Sequence, residues 1–221
     1  LAGEDETVKG IWCVPLYSNP QGICYSDETI ERLCSMKTAA PDFRIMWDNA
    51  YGVHDIYEKI RLKDVFVTAK QYHNEDRIMY FFSTSKITFP GAGVALMAAS
   101  EKNIAEIKKH LAVQTIGFDK LNQLRHVKYF GTADGIRAHM ADLASRLRPK
   151  FDVVLNTLEK EIGDSGFATW MKPKGGYFIA VDTLPGCAKA TVALAKEAGV
   201  VLTPAGPTYP YGKDPQDSTI R

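Results

Sequence analysis

Ile78-Met-Tyr-Phe-Phe82 runs without a break into Ser83-Thr-Ser-Lys86. Five apolar and aromatic residues make a strand-sized run, and three hydroxyls and a lysine close it. Two segments upstream have the same grammar. Phe43-Arg-Ile-Met-Trp47 leads into Asp48-Asn-Ala-Tyr51, and Lys9-Gly-Ile-Trp-Cys-Val-Pro-Leu-Tyr17 reads as a buried strand ending in the turn Ser18-Asn-Pro-Gln-Gly22. Polar residues thus gather where each strand ends, the edge along which open α/β sheets place their ligands. Val94 to Ala99 supplies a fourth strand. Helical spacing between the strands makes the class α/β, with a mostly parallel sheet.

Working outward, Ser26 is placed to cap a helix whose face is Thr29, Ile30 and Leu33. From Glu101 the chain turns helical: Glu101 to Leu111, Leu121 to Phe130, and a long stretch from Ala133 to about Ile162, which Pro149 should kink or interrupt. The remainder reads as strand Phe167 to Met171, a glycine turn, strand Tyr177 to Val181, helix Ala188 to Ala198 and strand Val200 to Leu202. A Gly/Pro-rich loop from Pro204 to Pro215 follows, then Ser218-Thr-Ile-Arg221 opens like a further strand. This organisation predicts part of a large domain over residues 1–135, then a linking helix and a smaller, truncated α+β domain over 136–221.

Composition narrows the partners. Lys plus Arg number 27 against 26 Asp plus Glu, a net charge of +1, so no concentrated basic face invites nucleic acid or an anionic membrane. Apolar runs are far shorter than the roughly 20 residues of a membrane span, and no positively charged leader precedes an apolar stretch at the start. Cys13, Cys24, Cys34 and Cys187 show neither a CxxC pair nor metal-ligand spacing. They are expected to be buried free thiols, with no metal bound, in a cytoplasmic protein.

Taken alone, Asp48 and Lys86 at neighbouring strand ends could be no more than a structural ion pair, since a half-buried carboxylate needs a positive partner. Ser83, Thr84 and Ser85 could be ordinary turn residues. Arg125, His126 and Lys128 read most simply as a solvated helix face, with Arg125 available to a dicarboxylate. His54 reads as a packed residue, Trp47 and Phe82 as core, and Tyr177 as a strand residue.

The order of the motifs adds more. Asn19-Pro-Gln-Gly22, Asp48-x-x-Tyr51, Ser83-x-Ser-Lys86, Pro173-Lys-Gly-Gly-Tyr177-Phe and Ile220-Arg221 follow one another over the whole chain. The series resembles the C-terminal half of the fold-type-I pyridoxal-phosphate-dependent aminotransferases. The wording WDNAYGVHDIYE and STSKITFPGAG is most similar to the MocR-like, or type Ic, aspartate aminotransferase branch.

That resemblance implies roles for the residues. Lys86 would hold pyridoxal 5'-phosphate as a Schiff base and shuttle the substrate proton. Asp48 would face the pyridine nitrogen; a carboxylate about 3 Å away favours the protonated ring by roughly 5 kcal/mol at an effective dielectric near 20. Tyr51 and Asn19 would hydrogen-bond the ring oxygen, and Ser83 and Ser85 the phosphate. Arg221, with Asn19 beside the substrate, would take the α-carboxylate as a bidentate fork. The implied activity is amino transfer from aspartate to 2-oxoglutarate in a homodimer. A lyase or decarboxylase on the same scaffold, or a non-catalytic effector domain of a transcription regulator, would share these motifs. Two departures stand out. Val94 occupies a position where many members carry a phosphate-binding arginine, which leaves the backbone N–H groups of Pro90-Gly-Ala-Gly-Val94 for that task. The family's N-terminal half, with its phosphate cup and stacking ring, is absent from the sequence.

Overall fold

A computed structural model describes residues 1–203 and 206–221. Pro204 and Ala205, where the Gly/Pro-rich loop was expected to begin, lie outside the described residues. The chain divides into two units. The first comprises Leu1–Leu16, Cys24–Gly52 and Ile60–Met140, and the second Tyr17–Ile23, Val53–Lys59 and Ala141–Arg221.

The first unit is built on strands β1 (Gly10–Cys13), β2 (Arg44–Asp48), β3 (Ile78–Ser83) and β4 (Ala95–Ala99), in that spatial order. β1, β2 and β3 are parallel and β4 is antiparallel, so the class is α/β with a parallel-dominated sheet. Helix α1 (Asp27–Ser35) is capped by Ser26, whose side chain accepts from Thr29 N. Helix α2 (Val65–Gln71), which the apolar pattern did not reveal, is capped by Asp64 through the amides of Phe66 and Val67.

Strand side chains alternate between faces, and β2 shows it. Ile45 and Trp47 are buried with Cys13, Ile30, Cys34, Phe43, Val65, Ala69 and Ile78 in the core beneath α1 and α2. Removing Trp47 to alanine would cost about 3–5 kcal/mol. The register pairs Trp12 with Met46 and Asp48 with Phe81, so Trp12, Met46, Asp48 and Phe81 share the face opposite that core. Gly10 must be glycine: a Cβ there would lie 2.6 Å from the carbonyl oxygen of Arg44.

The strand expected to be buried from Lys9 to Tyr17 is shorter and more exposed. Of Gly10–Cys13 only Cys13 is buried, and Trp12 is 64% exposed. β1 has a strand neighbour on one side only among the described residues, so it is an edge strand, and even Ile11, which pairs with the buried Ile45, is exposed. Phe82 is half-buried rather than core.

Helices α3 (Glu101–Gln114), α4 (Lys120–Phe130) and α5 (Ala133–Ile162) follow. Asp119 caps α4 through Asn122 N at 2.9 Å, and Gly131 at φ 67° ends it. α5 is continuous through Pro149, so the expected interruption does not occur; proline removes a single amide donor, and the other turns of a helix this long hold.

In the second unit, β5 (Ala168–Trp170), β6 (Val181–Thr183) and β7 (Thr219–Ile220) form an antiparallel sheet with β6 central, joined by α6 (Ala188–Glu197). Tyr177 to Ala180 is not strand. Gly175 forms an isolated bridge with Asp55, Gly176 N donates to His54 O, and β6 starts only at Val181. His54 is buried and packs edge-on to Tyr177 at 5.2 Å. Val200 to Leu202 is not strand either, although Thr203 N donates to Arg221 O at 2.9 Å. The four cysteines are free; Cys13 and Cys34 are buried, while Cys24 is only half-buried and Cys187 is exposed, against expectation. Among the described residues no helix is long and apolar enough to cross a membrane.

Candidate active site

Five of the residues singled out in the sequence lie in the first unit, at the carboxyl ends of β2 and β3 and just beyond. Asp48 closes β2 half-buried, on the face away from the core. Its Oδ2 accepts from Trp12 Nε1 at 3.2 Å, and the Trp12 ring lies parallel to Phe81 with centroids 6.1 Å apart. Three adjacent strands thus contribute one residue each to a single patch. Tyr51 is buried, and the amine of Lys86 stands over its ring, 4.9 Å from the centroid, within the range of a cation–π contact.

Ser83, the last residue of β3, donates from Oγ to Ser85 Oγ at 3.1 Å. The segment after it coils into a turn in which Ile87 N and Thr88 N both donate to Thr84 O at 2.9 Å. The glycine-rich stretch folds back on this turn. Thr84 N donates to Val94 O, and Val94 N to Thr84 Oγ1, each at 2.9 Å. A Cβ on Gly93 would come within 3.3 Å of Ser85 N, Ser85 Oγ and Thr84 Oγ1. The amide of Ser85 and the hydroxyls of Thr84 and Ser85 therefore converge beside Gly93.

His126 departs from the sequence reading. It is no solvated residue but sits against this turn, with Nε2 2.8 Å from Thr88 Oγ1 and 3.2 Å from Thr84 Oγ1. Arg125 and Lys128 are exposed as expected.

The other two residues, Asn19 and Arg221, belong to the second unit and meet there. Arg221 Nη1 donates to Asn19 Oδ1. Its Nε and Nη2 donate to Thr203 Oγ1 at 3.3 and 3.1 Å, and the guanidinium lies 4.6 Å over the Phe178 ring. Arg221 is thus a seated side chain and not a frayed end. Asp214 fixes the strand that carries it. Its carboxylate accepts from the amides of Gln216, Ser218 and Thr219 at 3.0, 2.8 and 2.9 Å. Those amides, Thr219 foremost, hold the Asp214 carboxyl below its ordinary value of 3.8. Thr219 Oγ1 in turn donates to Asp182 on β6 at 2.7 Å.

Trp12, His126, Thr203, Phe178 and Asp214 were not among the residues read from the sequence as functional. Only Asp214 carried a local signal, an aspartate two residues before a glutamine in a Pro/Gly-rich turn.

With that geometry in hand, comparison places the chain among known proteins. A family model for aspartate amino-transferase matches residues 1–221, and the chain belongs to that family. An aspartate aminotransferase of Corynebacterium glutamicum is 44% identical over 215 residues, 97% of this chain and 50% of that protein. The crystal structure of an aspartate transaminase from C. glutamicum superposes with a TM-score of 0.95 at 44% identity, over 99% of this chain and 52% of the other. A Pyrococcus horikoshii kynurenine aminotransferase, solved with PMP, shares the fold alone: TM-score 0.78 at 24% identity, over 96% of this chain and 50% of that one. The chain spans about half the length of the curated relatives it matches.

Proposed function

We propose that the whole protein is an aminotransferase that moves an amino group from an amino acid, aspartate foremost, to a 2-oxo acid such as 2-oxoglutarate, with pyridoxal phosphate as cofactor. The observation that carries this reading is the pairing of Lys86 with Tyr51 at 4.9 Å, beside the strand end that bears Asp48, in a chain matched along its full length by the aspartate amino-transferase family.

The donor set suits that cofactor. An amine, a carboxylate and a phenol stand at two neighbouring strand ends, and the Ser83–Ser85 turn with the glycine-rich stretch folded on it offers hydroxyls and backbone N–H groups to an anion. Ala92 N and Val94 N are taken up by Phe89 O and Thr84 Oγ1, so the proposal gives the phosphate to Ser83, Ser85 and the amides of Gly91 and Gly93. When bound, pyridoxal phosphate supplies an aldehyde that captures amines and a ring that draws electrons from the substrate Cα.

The chain's own residues do the rest. The Lys86 amine anchors the cofactor, then carries the proton taken from Cα. Asp48 keeps a proton on the ring nitrogen, its orientation set by Trp12. Tyr51 and Asn19 donate to the ring oxygen. Arg221 binds the α-carboxylate, pre-set by Thr203, Asn19 and Phe178 so that less side-chain freedom is lost on binding. A homodimer is part of this reading.

The test is a product assay on the intact protein with 2-oxoglutarate as acceptor. Formation of keto acid without loss of CO2 supports transfer, whereas CO2 release or elimination would assign a lyase or decarboxylase. Aspartate should outrank alanine, tyrosine and branched donors; a strong aromatic preference would refute the substrate assignment.

A further inference from the structure

The turn that carries Lys86 is held by α4 and the start of α5, all within the first unit. Asn122, buried, donates from Nδ2 to Ala92 O at 2.8 Å and to Gly93 O at 3.1 Å. His139 Nε2 donates to Ile87 O at 2.8 Å. His126 takes the centre. Its Nδ1 lies 2.9 Å from Asn122 O. A carbonyl oxygen only accepts, so Nδ1 carries the hydrogen and Nε2 of the neutral ring is an acceptor. The groups facing that acceptor are the hydroxyls of Thr84 and Thr88, which stand two residues before and two residues after Lys86. Thr84 Oγ1 also receives Val94 N, so one imidazole ties both flanks of Lys86 and the glycine turn into a single network.

We infer that His126 is a positioning residue for Lys86: its Nε2 lone pair orients the Thr84 and Thr88 hydroxyls and thereby fixes the turn from which the amine projects. The inference rests on the reading of Lys86 as the cofactor lysine. Without the acceptor, the Thr84 hydroxyl loses the group it faces and Thr88 Oγ1 keeps only Thr84 O and Thr84 Oγ1, each at 3.2 Å, so the turn samples other arrangements. The 84–94 segment would then open more often, and the amine would spend less time aligned for proton transfer, which lowers kcat while leaving carboxylate binding untouched.

The experiment compares His126→Leu, which keeps apolar bulk without an acceptor, with His126→Gln, whose amide oxygen reaches the Nε2 position. Hydrogen exchange of the 84–94 segment and steady-state kinetics are both read on the intact protein. A net hydrogen bond of about 1 kcal/mol corresponds to roughly a fivefold effect, so His126→Leu should speed exchange and lower kcat by about that factor each, with KM within about twofold and the exchange of β2 unchanged. His126→Gln should restore both. Thr88→Val should reproduce the loss and add little to it in the double variant, because both changes remove the Thr88 Oγ1–His126 Nε2 bond. Unchanged exchange in His126→Leu, unchanged kcat despite faster exchange, or a glutamine variant as impaired as leucine would each overturn the inference. A wild-type protein that fails to transfer amino groups would instead sink the functional reading beneath it.

Discussion

The indole N–H of Trp12 donates to Oδ2 of Asp48 across 3.2 Å, from the edge strand of the sheet. The bond follows from register. Trp12 pairs with Met46, Asp48 lies two residues further along β2, and both side chains rise on the face away from the core. A donor on that oxygen fixes the direction of the carboxylate.

Trp12→Phe removes that donor and keeps a ring to pack on Phe81. Bonds to charged groups are worth roughly 1.5–3 kcal/mol, and solvent near an exposed indole trims this, so kcat/KM should fall about tenfold. Asp48→Ala should fall further, by more than about a thousandfold. Equal losses in the two variants, or none in Trp12→Phe, would remove Trp12 from the account.

Arg221→Lys keeps the charge and loses the planar fork. Asn19 and Thr203 can no longer both be held by one rigid group, and one of two parallel bonds to a carboxylate goes. The fall in kcat/KM should be at least about tenfold and similar for every amino-acid substrate, because the α-carboxylate is common to all. Spectrophotometric assays over several donors check this; a loss confined to aspartate would place Arg221 at the side-chain carboxylate instead.

Asp214→Ala should loosen β7 and raise KM more than it lowers kcat, since its carboxylate holds Gln216, Ser218 and Thr219, the lead-in to the strand beside Arg221. Its pH behaviour is also fixed in sign. The folded carboxyl lies below 3.8, so its contribution to stability is full above that value and is lost as pH falls through the folded pKa. Unfolding curves of wild type and Asp214→Ala should therefore differ at neutral pH and converge in acid. A gap that widens in acid would contradict the assignment.

Much of this arrangement was legible in the chain because strand ends announce themselves. Phe43 to Trp47 and Ile78 to Phe82 are apolar runs that stop at Asp48 and Ser83, and the motif order singled out Asn19 and Arg221, which meet within the second unit. The rest depended on long-range packing. The Trp12 bond joins residues 36 apart and leaves no local pattern. His126 looked solvated because helical spacing reports which residues share a face, not what loop lies against it. Tyr177 to Ala180 has a strand's composition, but Gly175 and Gly176 just before it close on Tyr17 and His54, where a Cβ on Gly175 would come within 2.4 Å of the His54 carbonyl oxygen. β6 starts only where pairing with β5 and β7 is available. Helix α2 was missed for a related reason: seven residues are too few for a clear helical period.

The central claim is that Lys86 carries the cofactor. The intact protein, purified with pyridoxal phosphate, is reduced with borohydride, digested and mapped by mass spectrometry. The account predicts a pyridoxyl group on the peptide containing Ser83-Thr-Ser-Lys86, on Lys86 itself, and no such label in Lys86→Ala. A pyridoxyl group on any other lysine of the wild-type protein, with Lys86 unmodified, would contradict it.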